Sequence, residues 1–415
     1  MNLAKTSLLS LIATFVNILS GLVINKAVSI WLGPSGLALL GQFRNFTQLI
    51  MTFANGAINR GVVKYTAEYR ESEKELREVL STSFFISVCA SSVVGLLLFF
   101  FNEIISELIF KTAEYSFVFI IFSVTVVLFV LNSFLLSVIN GLKEIRKLIA
   151  IKIIQSIYSL ILTTLLIVLF GLEGALIAMV TNQSVIFVFT LSRVRKVAKV
   201  RLEYFLDGPN KLASKKLGQF VLMTLASAAA LPLSHVLVRS HITETVSLDA
   251  AGYWQAVVFI SQKYLLVATT TLSIYYLPRL SEIFDNLELK KEVLNGYKII
   301  LPVAILASTV IYFMREIIVL VMFDDSFLPV VELFMWQIIG DVLKIASFLF
   351  SFLMVAKAMS KVFIFSELLF SFQFVILCVF FVDAYGVVGA TYAYALNYLF
   401  YLIFCYFVFR RYVNR

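Results

Sequence analysis

The chain has 415 residues, of which 61% are hydrophobic, 15% aromatic and only 14% charged, with a mean hydropathy of +0.96. A soluble domain of that length needs more polar residue to cover its surface, so lipid must be the solvent for most of it. The net charge of +9 fits membrane topology and anionic lipid headgroups, and nucleic-acid binding is not expected.

A membrane helix takes about 20 apolar residues. Taken in chain order, the apolar runs are 8–31, 43–66, 80–101, 116–140, 148–170, 174–192, 217–239, 252–278, 298–315, 328–356, 361–382 and 386–409. They predict an all-α polytopic membrane protein with about twelve spans. Runs such as GLLLFFF and LLTTLLIVLF do not alternate, which excludes a β-barrel. The first run contains Asn17, Asn25 and Lys26 and has no small-residue cleavage site near its end. It reads as an uncleaved first span.

One set of alternate connections carries twenty-four Lys and Arg; the other carries four, Arg44, Lys111, Arg239 and Arg315. The positive-inside rule then predicts that both termini are cytoplasmic. Cys89, Cys378 and Cys405 all fall in spans, so no disulfide framework follows. His235 and His241 are too few for a metal site. There is no phosphate loop, dinucleotide fingerprint, H-E-x-x-H or G-x-S-x-G. Neither a cofactor nor ATP hydrolysis is expected.

Short echoes recur at a spacing near 215 residues. Gly171-Leu-Glu-Gly174-Ala175 leads to Asn182, and Gly386-Val-Val-Gly389-Ala390 leads to Asn397 with the same internal spacing. Ser133–Ser137 recurs as Ser347–Ser351, Lys147 as Lys361, and Gly36 has a counterpart in Gly252. The chain therefore reads as a duplication, an N-terminal six-helix half with its cytoplasmic linker (1–207) and a C-terminal six-helix half (208–415). Parallel repeats of this kind are related by an axis along the membrane normal, with the substrate path between them. Within the basic linker, 193–216, the residues Val194, Val197, Val200, Leu202 and Phe205 suggest a short amphipathic helix; a plain tether is the alternative.

Ionisable residues inside spans cost about 2.5–3.5 kcal/mol each on insertion scales, so they should face water, a partner or a ligand. The set is Lys26, Arg60, Lys64, Lys152, Lys263 and Lys344 against Asp341 and Glu367. Lys64 and Lys152 lie near span ends, where they can snorkel. Asp341 and Lys344 are three apart on one helix face and read either as a self-neutralising pair or as a pair on a cavity. Glu367 is placed to balance a lysine across helices. The excess of cations predicts an anionic substrate, a phosphate or diphosphate, since Arg and Lys match phosphate. Candidate substrate-binding residues are Lys26, Arg60, Lys64, Lys263, Asp341 and Lys344. Asn17, Ser20 and Asn25 in span 1, and Asn45, Thr47, Asn55 and Asn59 in span 2, support a hydrated path more weakly than they support helix packing. Pro232 in span 7 predicts a kink.

The stretches NKAVSIWLGPSGLALLGQFRNF, GVVKYTAEY, YYLPRLSE (275–282) and WQIIGDVLKIASFLFSFLMVAKA (336–358) resemble the Wzx-type flippases of lipid-linked oligosaccharides, the O-antigen and enterobacterial common antigen group. That group belongs to the superfamily of multidrug, oligosaccharidyl-lipid and polysaccharide exporters. The resemblance implies two six-helix bundles forming a V around a central cavity. It also implies alternating access in the bacterial inner membrane and a polyprenyl diphosphate-linked glycan as substrate. Membrane lipids, and a polymerase and chain-length regulator of the same pathway, are the implied partners. Lys26 matches a cationic position late in span 1, and Asp341-x-x-Lys344 matches a span 10 motif. Where similar sequences carry an acid in span 8, this chain has Gln262 followed by Lys263. Two rivals remain: an ion-coupled multidrug exporter, which would favour an acidic cavity, and a polymerase or ligase, which would carry a large periplasmic loop.

Overall fold

The computed structural model describes residues 3–195, 201–218, 221–272, 276–283, 285–357 and 359–414. Val197, Val200 and Tyr275 lie outside them. Every regular element among the described residues is helical, and the twelve expected spans are present. Two long helices, Leu3–Ala54 and Ile145–Val194, each contain a pair of spans joined at a single non-helical glycine, Gly33 or Gly171. The other spans are Glu73–Phe100, Ser116–Gly141, Val221–Thr245, Leu248–Thr271, Asn286–Phe313, Phe334–Ala356, Ser360–Tyr385 and Val387–Val413. Large apolar side chains lie outward, among them Phe100, Val124, Phe313 and Phe380. Their burial is supplied by lipid rather than by protein.

The duplication is visible in backbone conformation. Gly171 has φ 58 and ψ −132, and Gly386, 215 residues later, has φ 64 and ψ −153. Only glycine adopts this region without strain, so each turns one span directly into the next. Three residues on, Gly174 lies against the carbonyl oxygen of Leu166 and Gly389 against that of Phe381. A short helix also follows span 3 (Asn102–Phe110) and span 9 (Arg315–Met322).

Residues 32–42, left above as the connection between the runs 8–31 and 43–66, are helical on both sides of Gly33. Pro34 opens the second helix, a position where its missing N–H is harmless. Arg44 consequently lies within a helix and not in a connection. Span 2 then breaks where continuity was expected: the helix stops at Ala54 and resumes at Asn59–Glu68. Gly56 (φ 60) and Ala57 (φ 54) occupy the left-handed region between them.

The chain divides into two compact units, one of Met1–Leu32 with Gln42–Pro232 and one of Gly33–Gly41 with Leu233–Arg415. Span 7 continues as one helix through Pro232, where the boundary falls.

In the first unit the linker is docked. Tyr204, Phe205, Ala213 and Leu217 are buried in a core shared with Val62, Leu76, Leu80, Phe134 and Val194. The Phe205 ring lies 5.9 Å from Phe84 and 5.7 Å from Phe134. Asp207 accepts from Nε and Nη2 of Arg77, Tyr204 donates to Glu73, and the Asn210 backbone N–H donates to Thr82 at 2.9 Å. The segment is a short 3-10 turn, Leu202–Phe205, and a helix, Lys211–Gly218. Tyr204, Phe205, Ala213 and Leu217 serve protein packing while Leu206 and Leu212 are exposed, so the described part of the linker is not a free tether. Packing should outweigh charge here. Phe205→Ala is expected to cost about 3–5 kcal/mol, whereas Arg77→Ala, at a pair roughly 40% exposed on both sides, should cost at most about 1 kcal/mol. Thermal unfolding in detergent ranks the two, and the reverse order would mean that charge holds the linker.

In the second unit the segment 33–41 packs on span 8. Gly252 lies against the Pro34 carbonyl, and Ser35 donates to Asp249. The Gly36 counterpart is thus a close-packing glycine.

Candidate functional site

Lys26, Arg60 and Lys64 belong to the first unit. Lys26 is half-buried in span 1, and its carbonyl accepts from Ser29 at 2.8 Å. Arg60 and Lys64 are exposed one turn apart on the helix after the break, with the Lys64 ammonium 4.9 Å from the Tyr65 ring centroid. Arg60 lines a cavity of about 460 Å³ together with Thr47, Asn55, Asn59 and Phe129; Ala228 and Pro232 of span 7 also line it. The break in span 2 builds this cavity. It ends the first helix at Ala54, just before Asn55, and begins the second at Asn59, so two amides and a guanidinium line it beside irregular backbone. Irregular backbone at membrane depth is tolerated where it lines a cavity.

Lys263, Asp341 and Lys344 belong to the second unit. Asp341 is fully buried. Its carboxylate accepts from Ser261 at 2.6 Å, from Tyr394 at 2.8 Å and from Tyr264. Gln337 in turn donates to Ser261 at 3.3 Å. Spans 8, 10 and 12 are joined through that one carboxylate. The Lys344 ammonium lies 5.0 Å from the Tyr398 ring and 5.7 Å from the Tyr394 ring, a cation–π arrangement that holds a charge away from water. Glu367 of span 11 is near enough to Lys344 to interact electrostatically, as expected for a balancing charge. Asp341 and Lys344 share a helix face, yet Asp341 is held by hydroxyls of spans 8 and 12 and Lys344 lies against tyrosines of span 12. Lys263 is half-buried with its ammonium 4.8 Å from the Phe259 ring, and Gln262 is exposed.

Two features escaped sequence reasoning. Arg239, counted above among the connections, is 1% exposed. Span 7 runs to Thr245, which brings Arg239 inside the bundle. There its guanidinium donates to Gln255 and lies 5.4 Å from the Trp254 ring. Tyr394, one of many aromatics in the spans, is a half-buried donor to Asp341. The i, i+3 pair Ser261 and Tyr264 was the one sequence signal available for the opposing face.

A protein of Escherichia coli strain K12 named lipid III flippase is 29% identical over 408 residues, covering 98% of this chain and 97% of that protein. Among solved structures, an inward-facing multidrug resistance MATE family transporter of the MOP superfamily superposes with a TM-score of 0.82 at 15% identity, over 96% of this chain and 94% of that one. The lipid II flippase MurJ in an inward closed conformation gives a TM-score of 0.72 at 15% identity, over 98% and 87%. These two likenesses establish the fold. The model of the polysaccharide biosynthesis protein family matches residues 3–284, more than half of the chain, and the chain belongs to that family.

Proposed function

We propose that this protein is a flippase, a transporter and not an enzyme, that moves a polyprenyl diphosphate-linked oligosaccharide from the cytoplasmic to the periplasmic leaflet of the bacterial inner membrane. The observation that carries the proposal is the likeness to the lipid III flippase along 98% of the chain. The embedded charge supports it. Lys26, Arg60 and Lys64 in the first unit and Lys263 and Lys344 in the second offer cations to a diphosphate, with Asp341 positioning the tyrosines around Lys344. Alternating access moves the head group while the prenyl tail stays in lipid. Both termini are cytoplasmic on the Lys/Arg distribution. A polymerase and chain-length regulator acting on the same glycan are the expected protein partners.

Lys26→Ala, Lys263→Ala and Lys344→Ala are each expected to reduce surface glycan at least tenfold when expressed in a flippase-null strain. Immunoblotting of the glycan, with membrane levels of each variant matched, reads the result. Full activity in all three overturns the site assignment. Drug resistance without glycan restoration by the unaltered protein would point to the multidrug exporter reading.

A further inference from the structure

The cavity at the break in span 2 has a chemistry of its own. Thr47 and Asn55 are each 7% exposed, and the hydroxyl of Thr47 and the amide oxygens of Asn55 and Asn59 have no hydrogen-bond partner. Asn55 Nδ2 donates to the Met51 carbonyl at 2.6 Å, which fixes its oxygen as a spare acceptor. Asn59 Nδ2 donates to Ser133 Oγ at 3.0 Å, and with the hydroxyl accepting, the Asn59 oxygen is the second spare acceptor. A buried polar atom without a partner costs about 1–3 kcal/mol, so unpartnered oxygens on residues that line this cavity favour a ligand that brings O–H or N–H donors.

Three classes of ligand satisfy donors or acceptors here, and the lining separates them. An anion is repelled by two amide oxygens. A metal cation would accept those oxygens but is repelled by the Arg60 guanidinium on the same cavity. A sugar ring offers hydroxyl donors to the amides and an apolar C–H face to Phe129, which also lines the wall. The volume of about 460 Å³ lies within the roughly 300–1,000 Å³ that holds a small organic ligand. The geometry points to a subsite in the first unit for one or two neutral sugars of the substrate, held by Thr47, Asn55 and Asn59 against Phe129. Exposed Arg60 is left for a phosphate attached to the reducing end. The assignment rests on the flippase reading and adds which residues take the glycan.

Purified full-length protein in detergent is titrated with N,N′-diacetylchitobiose, with sodium pyrophosphate and with sodium chloride at constant ionic strength, following thermal unfolding. The disaccharide is expected to raise the melting temperature of the unaltered protein. Asn55→Leu and the near-isosteric Thr47→Val should each weaken the apparent Kd about tenfold or more, as expected for about 1.4 kcal/mol. Pyrophosphate protection should persist in both variants. If Asn55→Leu does not fold, Thr47→Val and Phe129→Ala carry the comparison. Protection by the disaccharide that is unchanged in the variants, or absent from the unaltered protein, overturns the subsite. Protection by sodium that depends on Asn55 overturns it in favour of a cation site. Restoration of surface glycan in a flippase-null strain is scored separately. Restoration without disaccharide protection fails the subsite and keeps the flippase; disaccharide protection lost in the variants, without restoration, does the opposite.

Discussion

Asp341→Leu is expected to melt far below the unaltered protein or to fail to accumulate in membranes. Ser261, Tyr264 and Tyr394 all direct their hydroxyls at the Asp341 carboxylate, and leucine leaves all three without an acceptor. At about 1–3 kcal/mol for each orphaned group, the loss amounts to a large part of the 5–15 kcal/mol that holds a typical domain together. The leucine side chain fills the space, so a cavity is not the cause. Asp341→Asn keeps one carbonyl oxygen, and the hydroxyl facing its new amide can turn to accept. That variant should fold, with a smaller loss. Fluorescence-detected size exclusion after a heating series distinguishes the three proteins. A leucine variant as stable as the unaltered chain would show that the carboxylate does not organise spans 8, 10 and 12. An asparagine variant that folds but restores no surface glycan would assign the charge itself a transport role beyond positioning.

The second large effect belongs to the paired glycines. A methyl group at Gly174 or Gly389 would land on the carbonyl oxygen of Leu166 or Phe381. Backbone cannot rotate away as a side chain does, so the cost should reach the upper end of the roughly 1–3 kcal/mol typical of overpacking, or exceed it. Alanine recovers about 1 kcal/mol of helix propensity over glycine, which is too little to reverse the sign. Gly174→Ala and Gly389→Ala should therefore both lower the melting temperature, and by similar amounts, because the two turns repeat one geometry. Gly218→Ala is the control, since nothing lies within 4 Å of its added carbon; it should be neutral. Equal melting of all three variants would mean that the tight turns can relax.

Much of the architecture was legible in advance because bilayer insertion is governed by local composition. Runs of about 20 apolar residues suffice to mark spans. The repeat of Gly171 and Gly174 as Gly386 and Gly389 was legible for a related reason: a one-residue turn between spans admits only glycine, so the constraint stays visible in a single letter. Cations well inside an apolar run could be picked out one by one, since each departs from its apolar surroundings.

What those residues touch was not legible. Asp341 and Lys344 read either as each other's partners or as a pair on a cavity because three residues separate them, yet their main contacts come from Ser261, Tyr264, Tyr394 and Tyr398, up to 80 positions away. Arg239 was assigned to a connection because it sits at the polar end of an apolar run; Gln255 and Trp254 from the next helix make its burial tolerable. The break at 55–58 contains Asn55-Gly56, a turn signal that the surrounding apolar run 43–66 outweighed. There Gly56 and Ala57 take the left-handed conformation, and Asn59 is held by Ser133 of span 4.

By itself, then, the sequence determined the solvent, the number of spans, the duplication and the sign of the embedded charge. Each of these is a property of residues summed along the chain or matched at a fixed spacing. Only the tertiary structure decided that Asp341 is held by hydroxyls of spans 8 and 12, that Arg239 is interior and that span 2 opens into a cavity. The free energy of a buried polar group depends on donors and acceptors that other helices bring within about 3 Å of it, and that proximity is not written at any one position in the chain.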